Sequence, residues 1–169
     1  MKKDCGLTII ELMIVVIIAG IFATLSVAGY RNLVNKYEIN NQIRELYSDL
    51  MHLRMMAMQK NRMTFMQLSD NSYIGYEDTS PQPDGDETLN TSSDSIAIPS
   101  KSVKNTFAFT GGGFISFNSR GFSNTTCTIC IPSSVNPSYD CIKVSSTRVK
   151  MGKLQNQSLG CTSANCETQ

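Results

Sequence analysis

The chain has 169 residues, 41% hydrophobic and 17% charged, with 15 basic side chains against 14 acidic ones. That length holds one modest globular domain beyond any membrane segment, and the near-balance of charge excludes recognition of a partner by net charge alone. With one histidine, no paired-carboxylate motif and no nucleophile elbow, the sequence carries no catalytic constellation, so no enzyme is expected.

From Leu7 to Tyr30 the only charged residue is Glu11. As a helix this run measures roughly 36 Å, long enough to cross a bilayer. A carboxylate in hydrocarbon costs about 3 kcal/mol or more and therefore needs a partner, which neither a discarded signal nor a plain anchor supplies. No proline precedes Pro81, so nothing stops the helix from continuing past the membrane. Ile39, Ile43, Leu46, Leu50, Leu53 and Ala57 recur at alternating steps of four and three, leaving Arg44, Glu45, Asp49 and Arg54 on other faces. The pattern predicts one helix from about Leu7 to about Lys60, roughly 80 Å long, whose second half packs its apolar stripe on a sheet. The methionines at 51, 55, 56, 58, 63 and 66 read as adaptable core filler or helix surface rather than a metal-binding set. His52 reads as a helix residue without catalytic duty.

Beyond Met63 the signals turn to β-structure. Met63 to Leu68 and Ser72 to Tyr76 flank Ser69-Asp70-Asn71 as a hairpin, and Glu77 to Ser93, with Pro81, Pro83 and Gly85, reads as a long exposed loop. Ile96 to Pro99, Thr106 to Phe109 and Phe114 to Asn118 read as further strands, with Gly111-Gly112-Gly113 as the turn between the last two. That glycine run lacks the lysine and following helix of a phosphate loop, so nucleotide binding is not expected and no cofactor is assigned. Thr126 to Ile131 and Cys141 to Val149 complete the strands, and the tail from Gln155 reads as irregular except where a cysteine ties it down.

Charge and cysteine are unevenly placed. Asp70, Glu77, Asp78, Asp84, Asp86, Glu87 and Asp94 occupy one stretch without a basic residue, whereas from Ser95 to Lys153 seven lysines and arginines face only Asp140. Of the six cysteines Cys5 stands apart near the start, while Cys127, Cys130, Cys141, Cys161 and Cys166 crowd the last third, which suits an oxidising compartment and two disulfides of undetermined pairing, with one of these five thiols left free or paired between chains. A zinc or dithiol role for Cys127-Thr-Ile-Cys130 is the weaker alternative.

The basic start, Gly6, Glu11 five residues after it and the apolar run together resemble the processing signal of type IV pilins and type II secretion pseudopilins. The later motifs, Arg54 to Phe65, Phe114-Ile-Ser-Phe-Asn-Ser-Arg-Gly121 and Val144-Ser-Ser-Thr-Arg-Val-Lys150, resemble the subgroup of minor pseudopilin H, FimU and FimT. The resemblance implies a leader over residues 1–6, cut by prepilin peptidase between Gly6 and Leu7, N-methylation of Leu7, and Glu11 as the assembly glutamate offsetting the terminal ammonium of a neighbouring subunit. Leu7 stands where members most often have phenylalanine, and Thr147 where a glycine usually precedes the closing arginine. Removing Lys2, Lys3 and Asp4 with the leader leaves 13 basic and 13 acidic residues.

The expected architecture is α+β and pilin-like: a transmembrane and filament-core helix over residues 7–30, its periplasmic amphipathic half over 31–62, and a β-rich domain over 63–169 with its antiparallel sheet against the helix. The implied partners are other pilin or pseudopilin subunits, the peptidase and a bacterial inner membrane, with a periplasmic C-terminal domain. DNA is the alternative partner, through Arg148, Lys150 and Lys153 with Lys143 or Arg120, because clustered cations gain affinity by releasing phosphate counterions. The competing reading of the same cations is a solvated surface or a contact for an acidic neighbour.

Overall fold

The computed structural model describes residues 8–82 and 85–168, leaving aside the side chains of residues 25–28. The residues on either side of the expected cut, Gly6 and Leu7, lie outside the described residues.

One helix, α1, runs from Ile9 to Lys60. It starts at Thr8, whose extended backbone and side-chain oxygen cap the first turn, and stops at Asn61, which adopts the left-handed conformation (φ 54°) with its N–H donated to the Ala57 carbonyl. Asparagine tolerates that conformation better than most residues, so the stop is local chemistry rather than a proline break. The two halves of α1 live in different surroundings. Ile9 to Ile21 present isoleucine, leucine, valine and methionine to the outside, uncovered among the described residues, whereas Ile43, Leu46, Leu50, Leu53 and Ala57 are fully buried. Burying each of the larger side chains is worth about 1.5–3 kcal/mol, so it is the second half that the domain holds.

The β-structure forms two antiparallel sheets rather than the single sheet expected. Strands β1 (Thr64–Ser69), β2 (Ser72–Glu77), β3 (Ser95–Ser102) and β5 (Phe114–Phe117) form one, in the order β3-β2-β1-β5. Strands β4 (Ala108–Phe109), β6 (Cys127–Cys130), β7 (Cys141–Val144), β8 (Val149–Leu154) and β9 (Cys166–Thr168) form the other, in the order β4-β6-β7-β8-β9. The helix packs on β1 and β5 of the first sheet and on β7 and β8 of the second, so its stripe closes one core with both. The triple glycine carries the chain from one sheet to the other: Gly111 and Gly113 take φ of 97° and 74°, and the Gly113 carbonyl accepts the Leu68 N–H at 2.8 Å.

Two strand boundaries differ from the expectation. The run Cys141 to Val149 breaks after Val144, where the Arg148 carbonyl accepts the N–H and the hydroxyl of Ser145, and the chain reverses into β8. The tail is partly ordered, with a short 3₁₀ turn (Gln157–Leu159) and β9 added at the sheet edge.

Polar residues flanking the helical stripe tie loops to the helix. Lys101 on β3 reaches Asp49 at 2.7 Å and Glu45 at 2.8 Å, while Asp49 also accepts the Tyr73 hydroxyl at 2.7 Å. The Asn40 side chain accepts the Tyr139 N–H at 2.9 Å, and Arg54 donates to the Thr147 carbonyl at 3.1 Å.

Candidate functional site

The first candidate surface is the start of α1. Thr8 and Glu11 occupy the first and last positions of a Thr-x-x-Glu capping box, and the Glu11 N–H is 3.4 Å from the Thr8 hydroxyl. Its carboxylate therefore sits at the positive end of the helix dipole. The sequence reading assigned Glu11 no such local role; the signal was present in the Thr8 to Glu11 spacing. Around it Ile9 is 83% exposed and Ile10 68%, in a segment of mean hydropathy 2.6 none of which is buried by the domain. This is a helix long and apolar enough to cross a membrane, and Glu11, the one charged residue of its apolar first part, stands at the capped end.

The second is the basic end of the second sheet. Lys143 on β7 lies directly opposite Lys150 on β8, and both line one shallow cavity with Ser145, Arg148 and Thr168. Lys153 is not part of it. Three residues along β8 from Lys150, it emerges on the other face of the sheet, opposite Glu167 in the β8–β9 register and beside Asn136 and Gln155. The structure thus joins Lys143 to Arg148 and Lys150, and separates Lys153. Among the described residues no acid forms an ion pair with Lys143, Arg148 or Lys150, although the Lys143 ammonium donates to the Ser163 carbonyl at 3.1 Å. Thr147 fits the turn without glycine, because positive φ is confined, among described non-glycine residues, to Asn61 and Glu87.

The loop after β2 is exposed over most of its length, at Pro81, Gln82, Asp86 to Thr88 and Asn90 to Ser93, but three acidic side chains at its two ends turn inward. Glu77, Asp78 and Asp94 are buried. Glu77 meets Lys60 at 2.5 Å and Arg62 at 3.5 Å. Asp78 accepts the N–H groups of Asp86 and Glu87, and Asp94 those of Thr79 and Asn90, so these carboxylates fold the loop upon itself. Burial raises the Asp78 carboxyl above the ordinary range against those two N–H donors, and neighbouring Asp94 and Asp86 raise it further. Asp84 lies outside the described residues.

The cysteines resolve into two disulfides, Cys130–Cys161 and Cys141–Cys166. Both cross the face of the second sheet that looks away from α1, where they bind the C-terminal segment over Cys130, Cys141 and Leu154. Cys130 is thereby committed, so Cys127 and Cys130 form neither a dithiol nor a ligand pair. Cys127 is a buried free thiol on the helix-facing side, and burial pushes its pKa up to about 11.

A long helix exposed and apolar in its first half, and packed by a stripe on antiparallel sheets in its second, is the architecture of a pilin-like protein. Residues 42–148 match the family model of type II transport protein GspH. Residues 1–27 match the prokaryotic N-terminal methylation motif. The first match spans more than half of the chain, and the chain belongs to the GspH family, whose members are structural subunits of pilin and pseudopilin type rather than enzymes. No curated protein and no solved structure matches it.

Proposed function

We propose that this protein is a minor pilin or pseudopilin subunit, cut between Gly6 and Leu7, methylated at Leu7, and carried into a periplasmic filament by α1 to prime, cap or decorate it. The observation that carries this reading is the contrast within one helix. Its first half exposes an apolar surface over Ile9 to Ile21 that the described part of the domain does not cover, and its second half is locked into the domain. Lipid covers such a surface before assembly and neighbouring helices cover it afterwards. In that setting Glu11 offsets the terminal ammonium of an adjacent subunit, sparing both an unpaired charge in apolar surroundings.

The bond at the cap uses the Glu11 backbone N–H, and the Thr-x-x-Glu spacing also lets the side chain reach back to the Thr8 N–H, a local duty separable from the charge. Glutamine serves as well as glutamate at the last position of a capping box but carries no charge. Incorporation into filaments is expected to fall for both Glu11→Gln and Glu11→Ala while membrane insertion persists. Normal incorporation of Glu11→Gln would reduce the residue to a helix cap.

A second reading, DNA capture, is favoured by one observation: Lys143, Arg148 and Lys150 share one cavity free of acidic ion-pair partners. Such a cluster engages phosphates through counterion release, without base readout. It is tested by the salt dependence of DNA binding described below.

A further inference from the structure

We infer that His52, Met55 and Met56 form a binding site for a soft monovalent metal ion of the Cu(I) class on the outer face of α1. The inference is independent of the filament reading.

The methionines of the domain sort by what they touch. Met66 is in the main core and Met51 and Met151 pack against it, Met63 lies under the acidic loop with Phe65 and Tyr76, and Met58 covers Gly121, where an added Cβ would fall 2.7 Å from its sulfur. Met55, Met56 and Met58 belong to none of these apolar clusters; Met58 lies against Gly121, while Met55 is 49% exposed and Met56 is half-buried. Methionine is an expensive choice for a solvated helix face, where lysine, glutamate or glutamine serve equally well for helix formation.

These two thioethers stand three and four residues after His52, the spacing that brings side chains of a helix together. The three line one shallow cavity of about 320 Å³ with Gln59 and Lys60. His52 is exposed, and its imidazole makes no hydrogen bond or ion pair among the described residues, so its nitrogens are available. One imidazole nitrogen and two thioether sulfurs make a soft set that favours Cu(I), while hard cations need oxygen donors. No carboxylate lines the cavity, and Lys60 is held by Glu77, which leaves nothing there to attract Mg²⁺ or Ca²⁺. The unbranched methionine side chains have the freedom to turn their sulfurs toward an ion held at His52.

The test uses the full chain in detergent micelles, with Cys127→Ala and Cys5→Ala to remove the thiols outside the two disulfides and with methionine methyl groups labelled with ¹³C. Ag(I), a redox-inert stand-in for Cu(I), leaves both disulfides intact and is titrated as the nitrate in chloride-free buffer. The Met55 and Met56 methyl signals and the His52 ring signals are expected to shift together and saturate at one ion per chain, while those of Met51, Met58 and Met66 stay in place. His52→Ala and the volume-conserving Met55→Leu/Met56→Leu pair are each expected to weaken binding by about tenfold or more, a loss typical at metal sites. Met58→Leu should bind as the parent does. Failure of the parent to retain Ag(I), or equal affinity in the Met55→Leu/Met56→Leu variant, overturns the site.

Discussion

Gly152 on β8 lies so close to Glu167 on β9 that a Cβ at Gly152 would stand 2.4 Å from the Glu167 carbonyl oxygen and 3.1 Å from the Cys166 sulfur. The obstacle on one side is backbone and on the other a disulfide, so neither can swing aside as the end of a flexible side chain would. Gly152→Ala is expected to lift β9 from the sheet edge and destabilise the domain by about 1–3 kcal/mol, as overpacking generally does. The fall in the denaturant midpoint of the variant, with both disulfides kept oxidised, measures it.

The two disulfides close loops of comparable length, with sequence separations of 31 and 25 residues. Loop-closure entropy assigns each about 3–4 kcal/mol, so Cys130→Ala/Cys161→Ala is expected to lower stability by an amount of that order. Cys127 gives an independent check. A thiol buried on the helix-facing side, with its pKa pushed up to about 11, is almost wholly protonated at neutral pH and shielded from reagent. Alkylation of the native chain at pH 8 should leave one unmodified thiol that reacts only on denaturation.

Asp140 is fully buried, accepting the Leu154 N–H at 2.6 Å and the Gln157 side-chain amide at 2.7 Å. Burial raises its carboxyl above the ordinary value, with these donors and Lys153 opposing, and Asp78 is raised in the same direction. A raised folded pKa means that the native state holds the proton more tightly than the unfolded chain. The resulting stabilisation is complete below the unfolded value of about 3.8 and is lost as pH rises through the folded value. Asp86, held low by the Thr88 hydroxyl and N–H, acts in the opposite sense but is fully exposed. Between about pH 4 and pH 7 the urea midpoint of the wild-type chain should therefore fall relative to that of Asp140→Asn, which has no proton to exchange.

For DNA, the sheet geometry separates two sets of cations that composition alone groups together. Neutralising Lys143, Arg148 and Lys150 should abolish any salt-sensitive mobility shift, whereas Lys153→Gln should leave it nearly unchanged, because that side chain lies on the other face beside Glu167. Equal loss from either change would show that DNA follows some other surface.

Much of the fold was legible because its strongest signals are periodic. The stripe from Ile39 to Ala57 fixed the packed face of α1, and the expected end near Lys60 coincides with the Asn61 cap. The hairpin across Asp70 and Asn71 was equally readable from its turn residues. The division into two sheets was not, since a short strand carries no mark of its partner: nothing local tells Ala108–Phe109 to pair with β6 while Phe114–Phe117 pairs with β1. The acidic stretch was legible as a largely exposed loop, but not which of its acids turn inward. Charge patterning cannot distinguish an aspartate that repels its neighbours from one, such as Asp78, that turns inward to accept two N–H groups. For the basic site, the grouping of Arg148 with Lys150 followed from their proximity in sequence, but the face reached by Lys143 and denied to Lys153 depends on strand register. Glu11 stood out at once by its charge, while its capping partnership with Thr8 required attention to spacing.

The most direct test of the filament account is the intact mass of the protein recovered from sheared surface or periplasmic filaments under non-reducing conditions. The account predicts a single species that begins at Leu7, with one added methyl group at its amino terminus and two disulfides. A chain still beginning at Met1 and found only outside filaments would contradict it.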